Sequence, residues 1–204
     1  YPGQLAFPED LYERTLGVYA GTALPTSIPN PWVMHCCTSN ATQGLYYAWE
    51  GTLRETGTTA EVNLLINRSG NLLDMNSFLP YEGRVDLHIK RARRVAIRVP
   101  FWVQRSELSF LVNGTRISES WIGNRVVIDS LSAGDTIRFS FPVARQTLAY
   151  TANAGSPQEQ VYQLQLRGST VVDISPRDDA PTSYPLYLRE HMKGEQADLK
   201  TKQR

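Results

Sequence analysis

The sequence predicts a mainly β protein, an antiparallel β-sandwich with a helical segment ahead of it. Three observations carry this expectation. From Glu61 onward, apolar residues recur at every second position in one short run after another. These runs come at roughly ten-residue spacing, separated by Gly, Asn and Asp turns, which is the pattern of a sandwich. Ahead of them, Thr38 to Arg54 carries its apolar residues at helical steps instead.

Each element follows from its residues. Glu9 to Ala23 can hold a short helix, weakened by Gly17 and Gly21. Residues 26–34 cannot be helical, because Pro25, Pro29 and Pro31 interrupt them. In Thr38–Arg54, Ala41, Leu45, Ala48, Trp49 and Leu53 fall three and four apart, giving a helix over 39–54. Thr38 or Ser39 is the expected N-cap, and Gly57 lies just past the end. Strands are expected at 62–66, 85–89, 95–99, 108–112, 126–128 and 137–141, all in one antiparallel sandwich. Asn113-Gly114 should close a tight hairpin between Ser109–Val112 and Thr115–Ile117. Gly134-Asp135 and Arg68–Asn71 are further turns. Val161 to Ile174 adds one or two strands behind an exposed loop at 152–157.

The expected domains are therefore 1–57, helical; 58–150, the sandwich; and 151–204, a β-rich segment ending in a polar tail. The helical part is too small to bury a core of its own. It must pack on the sandwich or belong to a larger helical domain. The start at Tyr1-Pro2-Gly3 carries no targeting signal and suggests a piece whose upstream part has been removed.

Composition excludes some partners. With 21 basic and 20 acidic residues the net charge is +1, without the basic excess of a nucleic-acid-binding protein. No stretch approaches the ~18 consecutive apolar residues of a membrane helix. Two cysteines cannot form a disulfide framework.

The two cysteines are adjacent, in Val33-Met34-His35-Cys36-Cys37-Thr38-Ser39-Asn40, at the start of the best helix. A disulfide between neighbours would need a strained ring. A thiol at a helix N-terminus meets the positive end of the macrodipole and unpaired N–H groups, both of which favour the thiolate. Two such sulfurs can also supply two ligands to zinc. The plain alternative is a pair of buried, inert cysteines. His88 and His191 read as ordinary strand and surface histidines.

Here the residues match a known family. His35-Cys36-Cys37-Thr38-Ser39-Asn40, followed by Leu45-Tyr46-Tyr47-Ala48-Trp49, resembles the vicinal-cysteine segment of the β-L-arabinofuranosidase family of glycoside hydrolases. Val95-Ala96-Ile97-Arg98-Val99-Pro100-Phe101-Trp102 is similar to that family's strand ending in an Arg-hydrophobic-Pro-Gly-Trp run, with Phe101 in place of the Gly. Val112-Asn113-Gly114 and Ala133–Ile137 follow in the expected order, so the resemblance spans about residues 30–150.

The resemblance implies the last helices of an (α/α)6 barrel followed by the sandwich, with the rest of the barrel upstream in the same parent chain. It implies a carbohydrate substrate and a zinc ion held by one Glu and three Cys. Cys36 would be nucleophile and zinc ligand, and Cys37 a ligand only. The remaining ligands and the general acid/base Glu lie upstream in the family, and this sequence has no third cysteine. The chain by itself is therefore expected to be inactive.

Trp32, Tyr46, Tyr47, Trp49, Trp102 and Trp121 can stack on sugar rings, though core or interface packing is the expectation for Trp49 and Trp102. On a helix, Glu50 lies ~20 Å from Cys36 and cannot serve as the acid. Glu55 is a further carboxylate nearby in sequence, and Lys90–Arg94 reads as a solvated turn. A second function class stays open: a non-catalytic β-sandwich module that supports a barrel or binds carbohydrate.

Overall fold

The computed structural model describes residues 26–28, 35–177, 184–185 and 192–194. In chain order the elements are β1 (Ser27–Ile28), α1 (His35–Glu50), β2 (Leu53–Thr56), β3 (Thr59–Val62), β4 (Arg68–Ser69), β5 (Leu73–Ser77), β6 (Arg84–Ile89) and β7 (Arg94–Arg98). They continue with β8 (Ser109–Val112), β9 (Thr115–Arg116), β10 (Ser120–Ile122), β11 (Arg125–Ile128), β12 (Thr136–Ser140), β13 (Arg145–Ala152), β14 (Gln160–Arg167), β15 (Thr170–Ser175) and β16 (Tyr184–Pro185). The chain divides into two compact units: residues 47–145 with 167–170 and 191–204, and residues 1–46 with 146–166 and 171–190.

The first of these units is the β-sandwich. One sheet has the order β10-β11-β7-β3-β2 and the other β4-β5-β6-β12-β8-β9. Alternation builds its core. In β6, Val85, Leu87 and Ile89 are buried while Arg84, Asp86 and His88 point away. In β12, Ile137 and Phe139 do the same. The Phe139 ring stacks on Phe110 of β8 at 4.6 Å and lies 4.7 Å from Phe141, which meets Trp102 edge-on at 5.6 Å. Fully buried Val62, Val95, Ile97 and Val126 supply the facing sheet. In the second unit, β1 pairs antiparallel with β16, while β13, β14 and β15 hydrogen-bond in that order, with β13 almost wholly exposed.

The strands expected near 85, 95, 108, 126 and 137 are β6, β7, β8, β11 and β12. Three expectations are corrected. The helix spans 35–50, not 39–54: it ends where Gly51 N–H donates to Tyr47 O, and Leu53–Thr56 pairs with β3 instead. Gly57, at φ 58°, turns that β2–β3 hairpin and caps no helix. Thr38 and Ser39 are the fourth and fifth residues of α1, inside the helix and not at its cap. The strand expected at 62–66 ends at Val62. Asn63 turns the chain there, its side chain donating to Gly51 O at 2.9 Å and accepting from Arg125, so Leu64 and Ile66 are exposed. The third is a detail: the antiparallel sandwich is as expected, but within it β3 runs parallel to β7. The helix expected at Glu9–Ala23 lies outside the described residues.

Asn113 and Gly114 both have positive φ, 51° and 79°, as a type I′ hairpin requires. Asn113 also holds the neighbouring loop: its amide donates to Asp135, and its oxygen accepts from Thr136 N–H at 2.8 Å. That bond from Asn113, with one from Ser132 N–H, holds the Asp135 carboxyl below the usual carboxylate range. Gly114→Val should destabilise the sandwich by roughly 1 kcal/mol or more through backbone strain alone, because no atom lies within 4 Å of the added Cβ. The urea midpoint measures it, and an unchanged midpoint would contradict the turn.

Candidate functional site

Cys36 and Cys37 are the second and third residues of α1, where the first N–H groups of a helix have no intrahelical partner. Cys36 is exposed and Cys37 half-buried, and neither is in a disulfide. Their sulfurs are 3.9 Å apart. The Cys36 side-chain contact and the charge it can carry push the Cys37 thiol up, so the pair takes on one negative charge more readily than two. The polar residues that follow turn inward to the helix: Asn40 Nδ2 and Ser39 Oγ donate to Cys36 O, and Thr42 Oγ1 donates to Thr38 O. The pair is therefore not fully buried at this helix start.

The sulfur pair fits one edge of a tetrahedral zinc site. Two zinc–sulfur bonds of about 2.3 Å at the tetrahedral angle set the sulfurs about 3.8 Å apart. Among the described residues, no group of three or more His, Cys, Asp or Glu side chains gathers to hold a metal. No described helix is long and apolar enough to cross a membrane.

Other sequence candidates have structural work. Glu55 accepts from Leu72 N–H at 2.6 Å and Asn71 N–H at 3.0 Å, fastening β2 to the turn before β5. Trp102 is buried, as expected, and its Nε1 donates to Ser169 Oγ at 2.7 Å. Trp49 is not buried: the Arg68 guanidinium lies 3.3 Å from its ring centre. Trp121 is half-buried beneath Arg105. The Lys90–Arg94 run pairs locally, Lys90 with Asp74 at 2.7 Å and Arg94 with Asp129 at 3.5 Å. Lys90 and Ser69 together hold the Asp74 carboxyl below its ordinary range. Trp32 and His191 lie outside the described residues.

The sequence did not reveal a cavity of about 540 Å³ in the sandwich unit. Its walls come from residues 63–67, 77, 79–80, 98–102, 124, 167 and 169–170, which only the sheet topology brings together. Arg98 closes β7 there, and the Phe101 that follows is 94% exposed. The one signal in the sequence was Phe101 itself, standing where the resembling family has glycine.

No protein-family model matches the chain, and no curated protein matches it in sequence. Solved structures do. One is a GH127 β-L-arabinofuranosidase from Geobacillus stearothermophilus T6, 18% identical, with a TM-score of 0.50 over 67% of this chain and 23% of that one. Another is a GH127 β-arabinofuranosidase, 17% identical, with a TM-score of 0.50 over 67% of this chain and 25% of that one. The likeness is one of fold. Two thirds of this chain shares the fold of part of these glycoside hydrolases, and the chain spans about a quarter of their length.

Proposed function

We propose that the chain is the C-terminal portion of a retaining glycoside hydrolase resembling β-L-arabinofuranosidases, with Cys36 as nucleophile and ligand and Cys37 as ligand to a zinc ion. The observation that carries the reading is the sulfur pair, exposed Cys36 and half-buried Cys37, 3.9 Å apart at the start of α1, in a chain with the fold of part of GH127 enzymes. The exposure of Leu45 on α1 supports it, as a helix that packs within a larger helical part would keep such residues for that contact.

Retention at an anomeric carbon takes two displacements. In the first, a Cys36 sulfur lone pair forms a bond to the anomeric carbon while the glycosidic oxygen leaves with a proton from a carboxylic acid. In the second, water displaces the sulfur, and the same carboxylate takes the water's proton. Zinc would supply one thing, a thiol kept deprotonated at neutral pH. The helix start sets the sulfur beside backbone N–H groups that have no intrahelical partner. The acid and the further ligands would come from the upstream barrel of the parent chain.

The test is hydrolysis of p-nitrophenyl β-L-arabinofuranoside by the whole protein, with zinc content measured. Cys36→Ser should abolish turnover without changing the unfolding midpoint, and Cys37→Ser should chiefly lower zinc content. The 204-residue chain should be inactive. A fully active Cys36→Ser protein would overturn the reading. The second reading, a sandwich that binds carbohydrate without catalysis, is favoured by the cavity beside Phe101.

A further inference from the structure

We propose that the cavity at the end of β7 binds a uronic acid unit of a saccharide, with Arg98 taking the carboxylate and Phe101 the apolar face of the sugar ring. The choice of a saccharide rests on the glycoside hydrolase reading; the choice of an acidic one rests on the cavity. All its walls belong to the sandwich unit, and at about 540 Å³ it is of the size that holds a small ligand. Its floor is apolar, made by buried Leu65, Val99 and Trp102.

Among the described residues, the charged side chains at its walls, Arg98 and Arg167, are both cationic. The Arg98 side chain is exposed and makes no hydrogen bond or ion pair among the described residues, leaving its five N–H groups for a ligand. Asn67 Oδ1 accepts from Ser77 N–H at 2.6 Å, and its amide nitrogen can donate to a ligand. Ser169 Oγ already accepts from Trp102, so its own O–H remains to donate. Arg167, 6% exposed, adds a second positive charge, fixed by donating to the carbonyls of Tyr81, Met192 and Gly194. Among the described residues, no aspartate or glutamate lines the cavity. A ligand that brings acceptors and negative charge suits these two cations, and the planar Arg98 fork matches a carboxylate through two parallel bonds.

Phe101 selects the rest of the ligand. A side chain 94% exposed at a cavity rim adds nothing to the core, but its face can cover the C–H groups on one side of a pyranose. Hydroxyl groups around the ring then meet Asn67, Asn124 and Ser169. A uronic acid unit combines these features: an apolar ring face, an edge of hydroxyls and a carboxylate.

Calorimetric titration of the 204-residue chain with the disaccharide of galacturonic acid tests this. Cys36 and Cys37 are first blocked with iodoacetamide, so that failure of the thiol reading leaves the result untouched. Saturable binding at millimolar concentration or tighter is expected, weakened by about tenfold or more in Arg98→Gln through loss of a charged hydrogen-bonded pair. Phe101→Gly should weaken it similarly, and both variants should keep the parent's unfolding midpoint, since both side chains are exposed. The neutral galactose disaccharide should bind at least about tenfold more weakly, and acetate or inorganic phosphate alone likewise. No binding of the acidic disaccharide, equal binding by Arg98→Gln, or equal binding of the neutral sugar or the simple anions would overturn the assignment.

Discussion

Phe139→Ala should cost the sandwich about 3–5 kcal/mol, the usual loss when a buried aromatic ring is deleted. Phe139 is fully buried on β12, which pairs with β6 on one side and β8 on the other. Its ring lies parallel to Phe110, with an interplanar angle of 4°, and contacts Phe141, so deletion strips a face from each. The backbone around it is held by two ladders and cannot readily collapse into the space. Since domains of this size are stable by only about 5–15 kcal/mol, the variant should be close to unfolding. Urea unfolding followed by tryptophan fluorescence reads the change, because Trp102 sits in the same aromatic cluster. Phe101→Ala is the matched control: same ring, fully exposed, and no change in midpoint expected. A loss of under about 1 kcal/mol at Phe139 would mean that the stacked pair is not central to the core.

These residues also show what a sequence can and cannot reveal. β6 and β12 were legible because each places alternate large apolar side chains on one buried face. β5 was not, because only Leu73 and Met75 mark its inner face, with Asp74 and Asn76 between and beside them. β2 was hidden for the opposite reason. Leu53 fits the helical step from Trp49, and only Gly51 and buried Thr52, whose carbonyl accepts from Asn63 N–H, mark the break. β13 lies exposed along nearly its whole length, so burial imposed no alternation on it. The parallel β3–β7 pairing left no trace, because a strand's side-chain period is the same whichever way its partner runs. The sulfur pair was legible, being two neighbours in one chain segment. The cavity was not, because its walls are assembled from segments as far apart as Asn63 and Thr170.

Gly83→Ala should be nearly as damaging as the loss of Phe139, though it adds a single methyl group. Gly83 sits in the turn that leads into β6, and its carbonyl accepts from Phe141 N–H at 2.8 Å. A Cβ built there would lie 1.8 Å from Phe141 O and 2.9 Å from its carbonyl carbon. The obstacle is backbone, so no rotamer change relieves it. Either the β5–β6 turn must lift, breaking that hydrogen bond, or the chain after β12 must shift, carrying Phe141 away from Phe139 and Trp102. Overpacking of this kind costs about 1–3 kcal/mol, and more when a buried hydrogen bond is also lost. The loss should therefore be about 3 kcal/mol or above. Gly44→Ala is the contrasting case: on the exposed surface of α1, where nothing lies within 4 Å, it should leave the sandwich midpoint unchanged. If Gly83→Ala behaves like Gly44→Ala in urea, the close approach of these two backbone segments is wrong.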